Sequence, residues 1–361
     1  MSSQSTIILD RLISQSVKSG AARLHLEVGS HPIVRLDQKL ISLESETVIQ
    51  KDFLTDAVNM ILTKEEQQEF AAQKSIVTTY AFQGNMRFKV HIFYQKNNLA
   101  LIFTYIPSVI SDPESIGLTR EVIELLTKKS GLLVIAGYHS SGRTTTVLSL
   151  LNYINNRQSK YILTIEDPIE FILTPAKSII DQREVGRDTQ TFETALAFSK
   201  DSDVDVVYLS RVKDYATLVS VFDLISSGRL VITVTEADSA ADAVAKLVEL
   251  APDAEANKIR TTLAEFLLAV VVQQLVPRRG GGQITVTEIL VANSASASLI
   301  KEGRYSQITS VIQTSREEGM RSLDQALLEL VKTDEIEYKD ALEFAVNKTN
   351  FQSAAHKFRT S

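Results

Sequence analysis

Ten residues, "GYHSSGRTTT" at 137–146, combine types and spacing that suit phosphate chemistry. Gly137, four residues, Gly142, Arg143 and then Thr144 follow the pattern of a phosphate-binding loop. A glycine-rich turn between a buried strand and a helix points backbone N–H groups inward, at the positive end of the helix. On this reading Gly137, Ser140, Ser141, Gly142, Arg143, Thr144 and Thr145 touch phosphate, and the Thr144 hydroxyl holds Mg2+. One residue departs from the pattern: Arg143 stands where a lysine reaches the terminal phosphates. A guanidinium keeps the charge, but its planar fork is bulkier than a compact ammonium. The alternative is a strand–turn–helix corner that binds nothing.

The surrounding pattern supplies the elements such a loop needs. "GLLVIAG" before it is a short continuous apolar run, as in a strand buried on both sheet faces. A helix from Thr144 to about Asn155 is predicted after it. Strands "KYILTIED", "VDVVYL" and "RLVITVT" then alternate with helices over 214–226, 239–250 and 255–275, which predicts an α/β domain with a mostly parallel sheet. "GGGQITVTEIL" reads as a hairpin arm, and residues after about 294 read as a small helical region. The first third is of another kind. A helix over 7–19 ends at Gly20, followed by a strand meander with turns at Gly29-Ser30 and Asp37-Gln38. A helix over 51–72 comes next, then strands with a Gly84-Asn85 turn and "LALIFTYIP". The expected divisions are 1–106, a Pro- and Ser-containing linker at 107–118, an α/β domain over 119–293 and helices over 294–361.

The totals exclude several classes. The 361 residues suggest two domains, with ample length for a core in each. There is no cysteine, which removes disulfides and thiolate metal sites. The five histidines have no metal-site spacing, so no metal beyond Mg2+ is assigned. A net charge of −6 argues against general nucleic-acid affinity. Neither a signal peptide nor a run of roughly 20 apolar residues is apparent, so the expected location is cytoplasmic, without membrane insertion.

Further motifs carry a resemblance over nearly the whole chain. "LTIEDPIEF" (163–171) and "QREVGRDT" (182–189) resemble motifs of the type IV pilus retraction ATPases, the twitching-motility members of the secretion ATPase superfamily. "RLHLEVGSHPIVRLDQKL", "MRFKVHIF", "GGGQITVTEILVANSASASLIKEG" and "GMRSLDQAL" are similar to that family's other segments. The resemblance implies an α/β chain with a PAS-like α+β N-terminal domain, a RecA-like P-loop NTPase domain and a helical C-terminal region. It also implies ATP or ADP with Mg2+, a hexameric ring and an inner-membrane pilus platform as partner. In its aspartate box, Glu166, Asp167 and Glu170 would help hold Mg2+ and water; the bland alternative is a strand-end cap and an ion pair. Arg183, Glu184, Arg187 and Asp188 keep their family positions, as a subunit contact or as a solvated lattice of salt bridges.

Departures cluster at the chemical centre. In "DVDVVYLSRVKD" (203–214), Arg211 takes the place of the family's water-polarising glutamate. In "TVTEADSA" (233–240), Glu236 replaces the histidine. Arg87 is retained, while Lys89, Thr104 and Ala297 stand where the family has arginines. With Arg143, these changes predict a degenerate paralogue, a regulatory or structural pseudo-ATPase in a homo- or hetero-hexamer, cytoplasmic or peripheral at the inner membrane. The alternative is an active hexameric retraction motor, in which Glu166 or Asp167 replaces the base and Arg211 stabilises transition-state charge.

Overall fold

The computed structural model describes residues 3–36, 39–84, 86–106 and 110–359. The expected turn at Asp37-Gln38 and residue Asn85 of the Gly84-Asn85 turn lie outside these residues, as do 107–109 of the expected linker. The chain forms two compact units: 1–109 with 168–172, and 110–167 with 173–361.

The first unit contains α1 (Ser3–Lys18), β1 (Arg23–Glu27), β2 (Ile33–Leu36), β3 (Lys39–Ser42), α2 (Lys51–Ile61), α3 (Lys64–Gln73), β4 (Ser75–Phe82), β5 (Met86–Gln95) and β6 (Asn98–Ile106). Its six strands form one antiparallel sheet in the order β3-β2-β1-β6-β5-β4. Alternation along β5 puts Phe88, Val90 and Ile92 on the face that forms a core with Leu9, Leu12 and Ile13 of α1 and Phe53 and Leu54 of α2. The single helix expected over 51–72 is two helices, because Thr63 starts a new one. Thr63 Oγ1 accepts from Glu66 N, and a Glu66 carboxylate oxygen accepts from Thr63 N at 2.8 Å, a reciprocal capping box. Thr63→Ala is expected to cost about 1 kcal/mol of stability, read by thermal denaturation.

The second unit contains α4 (Arg120–Leu125), β7 (Gly131–Ala136), α5 (Arg143–Arg157), β8 (Tyr161–Glu166), β9 (Ile179–Glu184), α6 (Phe192–Asp201), β10 (Val206–Leu209), α7 (Tyr215–Ser226) and β11 (Leu230–Thr235). These are followed by α8 (Ala240–Glu249), α9 (Ala256–Phe266), β12 (Leu267–Pro277), β13 (Gln283–Val291), α10 (Ser294–Glu302), α11 (Ile308–Thr314), α12 (Leu323–Lys332), α13 (Tyr338–Phe344) and α14 (Lys348–Arg359). The sheet order is β13-β12-β7-β11-β10-β8-β9, parallel from β12 to β9, with β13 antiparallel on β12. Every residue of β7 and β10 is buried, as continuous apolar runs covered on both faces require.

The helix expected over 255–275 is overturned: α9 stops at Phe266 and the chain passes directly into β12. "LLAVVVQQLVP" is rich in β-branched side chains, which favour strands, and it pairs with β7 on one side and β13 on the other. A short buried apolar run does not reveal helix or strand by periodicity alone. The hairpin arm read from "GGGQITVTEIL" is β13. Strand β9 is an element that the charged "QREVGRDT" motif conceals, since the motif begins within it. Residues 110–118 pack with the second unit: Pro113 and Leu118 are buried, and Gly117 O accepts from Arg321 Nη2 at 2.6 Å.

Candidate functional site

Parallel pairing puts the carboxyl ends of β7, β11, β10, β8 and β9 along one sheet edge, where ligands of open α/β sheets bind. The residues that follow these strands are the glycine loop, Glu236, Ser210-Arg211, Asp167 and Val185. Neighbouring strands lie about 4.8 Å apart, so the end of β10 sits roughly 10 Å along the edge from the loop.

The loop geometry explains its glycines. Gly137 has φ +147°, and a Cβ there would lie 2.4 Å from Ser141 Oγ and 2.5 Å from the Gln273 carbonyl oxygen. Gly142, at φ +88°, caps α5 in the left-handed region. Thr146 N donates to Gly142 O, so the amides of Arg143, Thr144 and Thr145 precede the first intrahelical bond of this α5 turn. Those amides and the helix dipole favour an anion. Thr144 is half-buried and Thr145 exposed; Tyr138, His139 and Ser140 are exposed on the tip.

Arg143 turns across the edge to β11. Its Nη1 donates to Thr235 O at 2.9 Å, and its Nη2 lies 3.3 Å from Glu236 Oε1. Arg143 of the loop and Glu236 beyond β11 therefore pair with each other. With 68% of the Glu236 side chain exposed, solvent screens this pair and it is weak. Lys246 Nζ donates to Glu236 O at 2.8 Å, which fixes the backbone of the same turn.

Arg211, after β10, is also paired. Arg211 Nη2 donates to Asp167 Oδ2, and its guanidinium lies 5.6 Å from the Phe192 ring centre. Glu166 is buried, and its Oε1 accepts from Thr164 Oγ1 at 2.7 Å and from Gln182 Nε2 at 3.2 Å. Glu170 belongs to the first unit, where Lys89 Nζ donates to it at 2.8 Å. Thr104 lies opposite Lys89 across the β5–β6 pair, and Arg87 Nη2 donates to Thr79 Oγ1. Ala297 is half-buried on α10.

Arg183, Glu184, Arg187 and Asp188 come together in one turn. Asp188 Oδ2 accepts from Glu184 N at 2.9 Å, Arg183 Nη2 donates to Asp188 O at 2.8 Å, and Arg187 pairs with Glu184 at 2.9 Å. Among the described residues no group of three or more His, Cys, Asp or Glu is placed to hold a metal ion.

Two side chains with roles at this edge are not evident in the sequence. Gln273, fully buried on β12, donates from Nε2 to Ser141 O at 2.7 Å. Its one signal is a polar pair, Gln273-Gln274, inside an otherwise apolar run. Glu288, buried on β13, accepts from Ala240 N at 2.8 Å and so holds the first turn of α8 just beyond Glu236. Burial pushes its carboxyl up, and Asp238 and Asp324 add to the rise.

A buried strand, a glycine loop and a helix at the carboxyl edge of a parallel sheet define a phosphate-binding-loop α/β protein. Residues 117–280 match the family model described as Type II/IV secretion system protein. The chain is 31% identical over 345 residues to the type IV pilus retraction ATPase PilT of Pseudomonas aeruginosa, covering 95% of this chain and 99% of that one. It is 28% identical to the type IV pilus ATPase PilU of the same organism, covering 93% and 88% of the two chains. The crystal structure of the pilus retraction motor PilT with bound ADP superposes with a TM-score of 0.82 at 29% identity, over 95% of this chain and 98% of that one. The Legionella pneumophila ATPase DotB, at 18% identity and TM-score 0.79 over 93% and 94% of the chains, shares the fold. The chain belongs to the type IV pilus retraction ATPase family and has its two-domain secretion-ATPase fold. Among the described residues no helix is long and apolar enough to cross a membrane.

Proposed function

We propose that this chain is a degenerate paralogue of the retraction ATPase, a regulatory or structural subunit that keeps the phosphate cradle and has lost efficient turnover. One observation carries the reading: each of the two cations at substituted positions is paired with a carboxylate of the same edge, Arg143 with Glu236 and Arg211 with Asp167. Phosphoryl transfer depends on positioned water and on charge aimed at the transferring group. A guanidinium has no acceptor for the water's proton, and one that shares its charge with a carboxylate offers less of it to phosphate.

The cradle suits a nucleotide polyphosphate: glycines at 137 and 142 let the loop pack against β12 where a Cβ would collide, and the amides of Arg143, Thr144 and Thr145 stay clear of intrahelical bonds. Gly137, Ser140, Ser141, Gly142, Arg143, Thr144 and Thr145 would hold ATP or ADP there. Thr144 and Glu166 would hold Mg2+, which when bound would screen phosphate charge. The likeness to a pilus retraction ATPase over 95% of this chain supports work at a pilus machine. The place we assign is a homo- or hetero-hexamer with related ATPases, cytoplasmic or peripheral at the inner-membrane pilus platform.

Glu236→Gln is expected to raise ATP affinity by a few-fold, up to about 5-fold, since an exposed pair is worth less than about 1 kcal/mol. Isothermal titration against the unaltered chain measures it. The function itself is tested by ATP binding and hydrolysis with Mg2+, beside an Arg143→Lys, Arg211→Glu double variant. Binding without turnover supports the proposal. A second reading, a motor with relocated chemistry, draws on Asp167 in contact with Arg211 and on Glu166 preceding it at the end of β8; turnover that vanishes in Glu166→Gln establishes it.

A further inference from the structure

The glycine loop is held from beneath by a side chain of β12. Gln273 is fully buried, and its Nε2 donates to Ser141 O at 2.7 Å, in the middle of the loop. The same nitrogen lies 3.1 Å from where a Gly142 Cβ would stand, and the Gln273 carbonyl lies 2.5 Å from where a Gly137 Cβ would stand. One residue of β12 thus contacts the space left by both glycines of the motif. β12 pairs with β7 on one side, Val272 opposite Ala136, and with β13 on the other, Gln273 opposite Thr287. The donor is therefore mounted on a strand that cannot shift without breaking two ladders. Two buried atoms at this contact, Ser141 Oγ and Gln273 Oε1, have no hydrogen-bond partner among the described residues, which leaves the Nε2 bond as the polar tie between side chain and loop.

We infer that Gln273 is a positioning residue for phosphate binding: it fixes the Ser141 peptide, so that the following amides at the start of α5 converge on an anion. The inference rests on the reading of the loop as an anion site. A loop with six residues between strand and helix, three of them exposed at the tip, has many conformations open to it. A carbonyl tied down beneath the loop removes most of them before a ligand arrives, and preorganisation of this kind is gained as affinity.

Gln273→Met in the full-length chain removes the donor and nearly conserves volume. Gln274→Met makes the same chemical change one position along, on the opposite face of the sheet, and serves as the control. Titration with inorganic tripolyphosphate and with ATP is expected to show about 10-fold weaker binding for Gln273→Met and no change for Gln274→Met. Hydrogen exchange is expected to accelerate at the amides of 139–145 in Gln273→Met alone, while β7 and β12 stay protected. Unchanged affinity and unchanged loop exchange in a folded Gln273→Met overturn the inference. If the unaltered chain binds neither ligand, the anion reading fails, and the exchange comparison still decides whether Gln273 orders the loop. A check that needs no variant is NMR of the Gln273 side-chain amide in the unaltered chain: slow exchange supports the tie, and rapid exchange with solvent overturns it.

Discussion

With saturating ATP and Mg2+, the purified chain is expected to hydrolyse ATP at least about 10²-fold more slowly than Pseudomonas aeruginosa PilT assayed beside it, because loss of a general base costs about 10²–10⁴-fold. The expectation rests on position and on pairing together. Arg211 follows β10, where the resemblance puts a glutamate, and its guanidinium is engaged by Asp167. Of the two candidate replacements, Asp167 is the residue that engages Arg211, and Glu166 is buried and already accepts from Thr164 and Gln182. The Arg143→Lys, Arg211→Glu variant supplies a compact cation at 143 and a carboxylate at 211, and breaks the Arg211–Asp167 pair. It is expected to hydrolyse ATP at least about 10-fold faster than the unaltered chain, recovering part of the general-base factor. A rate for the unaltered chain comparable to that of PilT sinks the pseudo-ATPase reading, and loss of that rate in Glu166→Gln then locates the base.

Much of this arrangement is legible in the residues because it is local. The "GLLVIAG" run, the glycine spacing and the helix after it report a single strand–loop–helix corner, and the structure places β7 and α5 there. What is not legible depends on partners distant in sequence. The segment 267–277 is a strand because β7 and β13 flank it, and neither neighbour is visible in a window of apolar residues. Without that strand Gln273 stays hidden too, since it lies 132 positions from the Ser141 carbonyl it binds. The pairing of Arg143 with Glu236 spans 93 positions in the same way. Each residue is visible singly; that the two are opposite charges within reach of one another emerges only where β7 and β11 lie side by side. "QREVGRDT" illustrates the opposite case, since its charges close a turn within a few residues and their partners are each other.

Gly137→Ala is expected to be among the most damaging single changes in the second unit, and comparison with Gly186→Ala separates the reasons. Gly186 has φ +89° and nothing within 4 Å of where an added methyl would stand, so its substitution carries only the conformational cost of about 1–2 kcal/mol. Gly137 has φ +147°, and its methyl would also sit 2.5 Å from a backbone oxygen of β12. That oxygen belongs to a strand paired on both sides, so relief has to come from moving the loop away. The total is expected to reach about 3–4 kcal/mol, the range reserved for strain and overpacking at special positions. Thermal unfolding followed by circular dichroism should put Gly137→Ala well below Gly186→Ala, and tripolyphosphate binding should be lost in the former alone. Equal melting of the two variants would mean that the loop relaxes at little cost. The cradle would then be soft, and weak nucleotide binding would follow from the loop itself rather than from the pairing of Arg143 with Glu236.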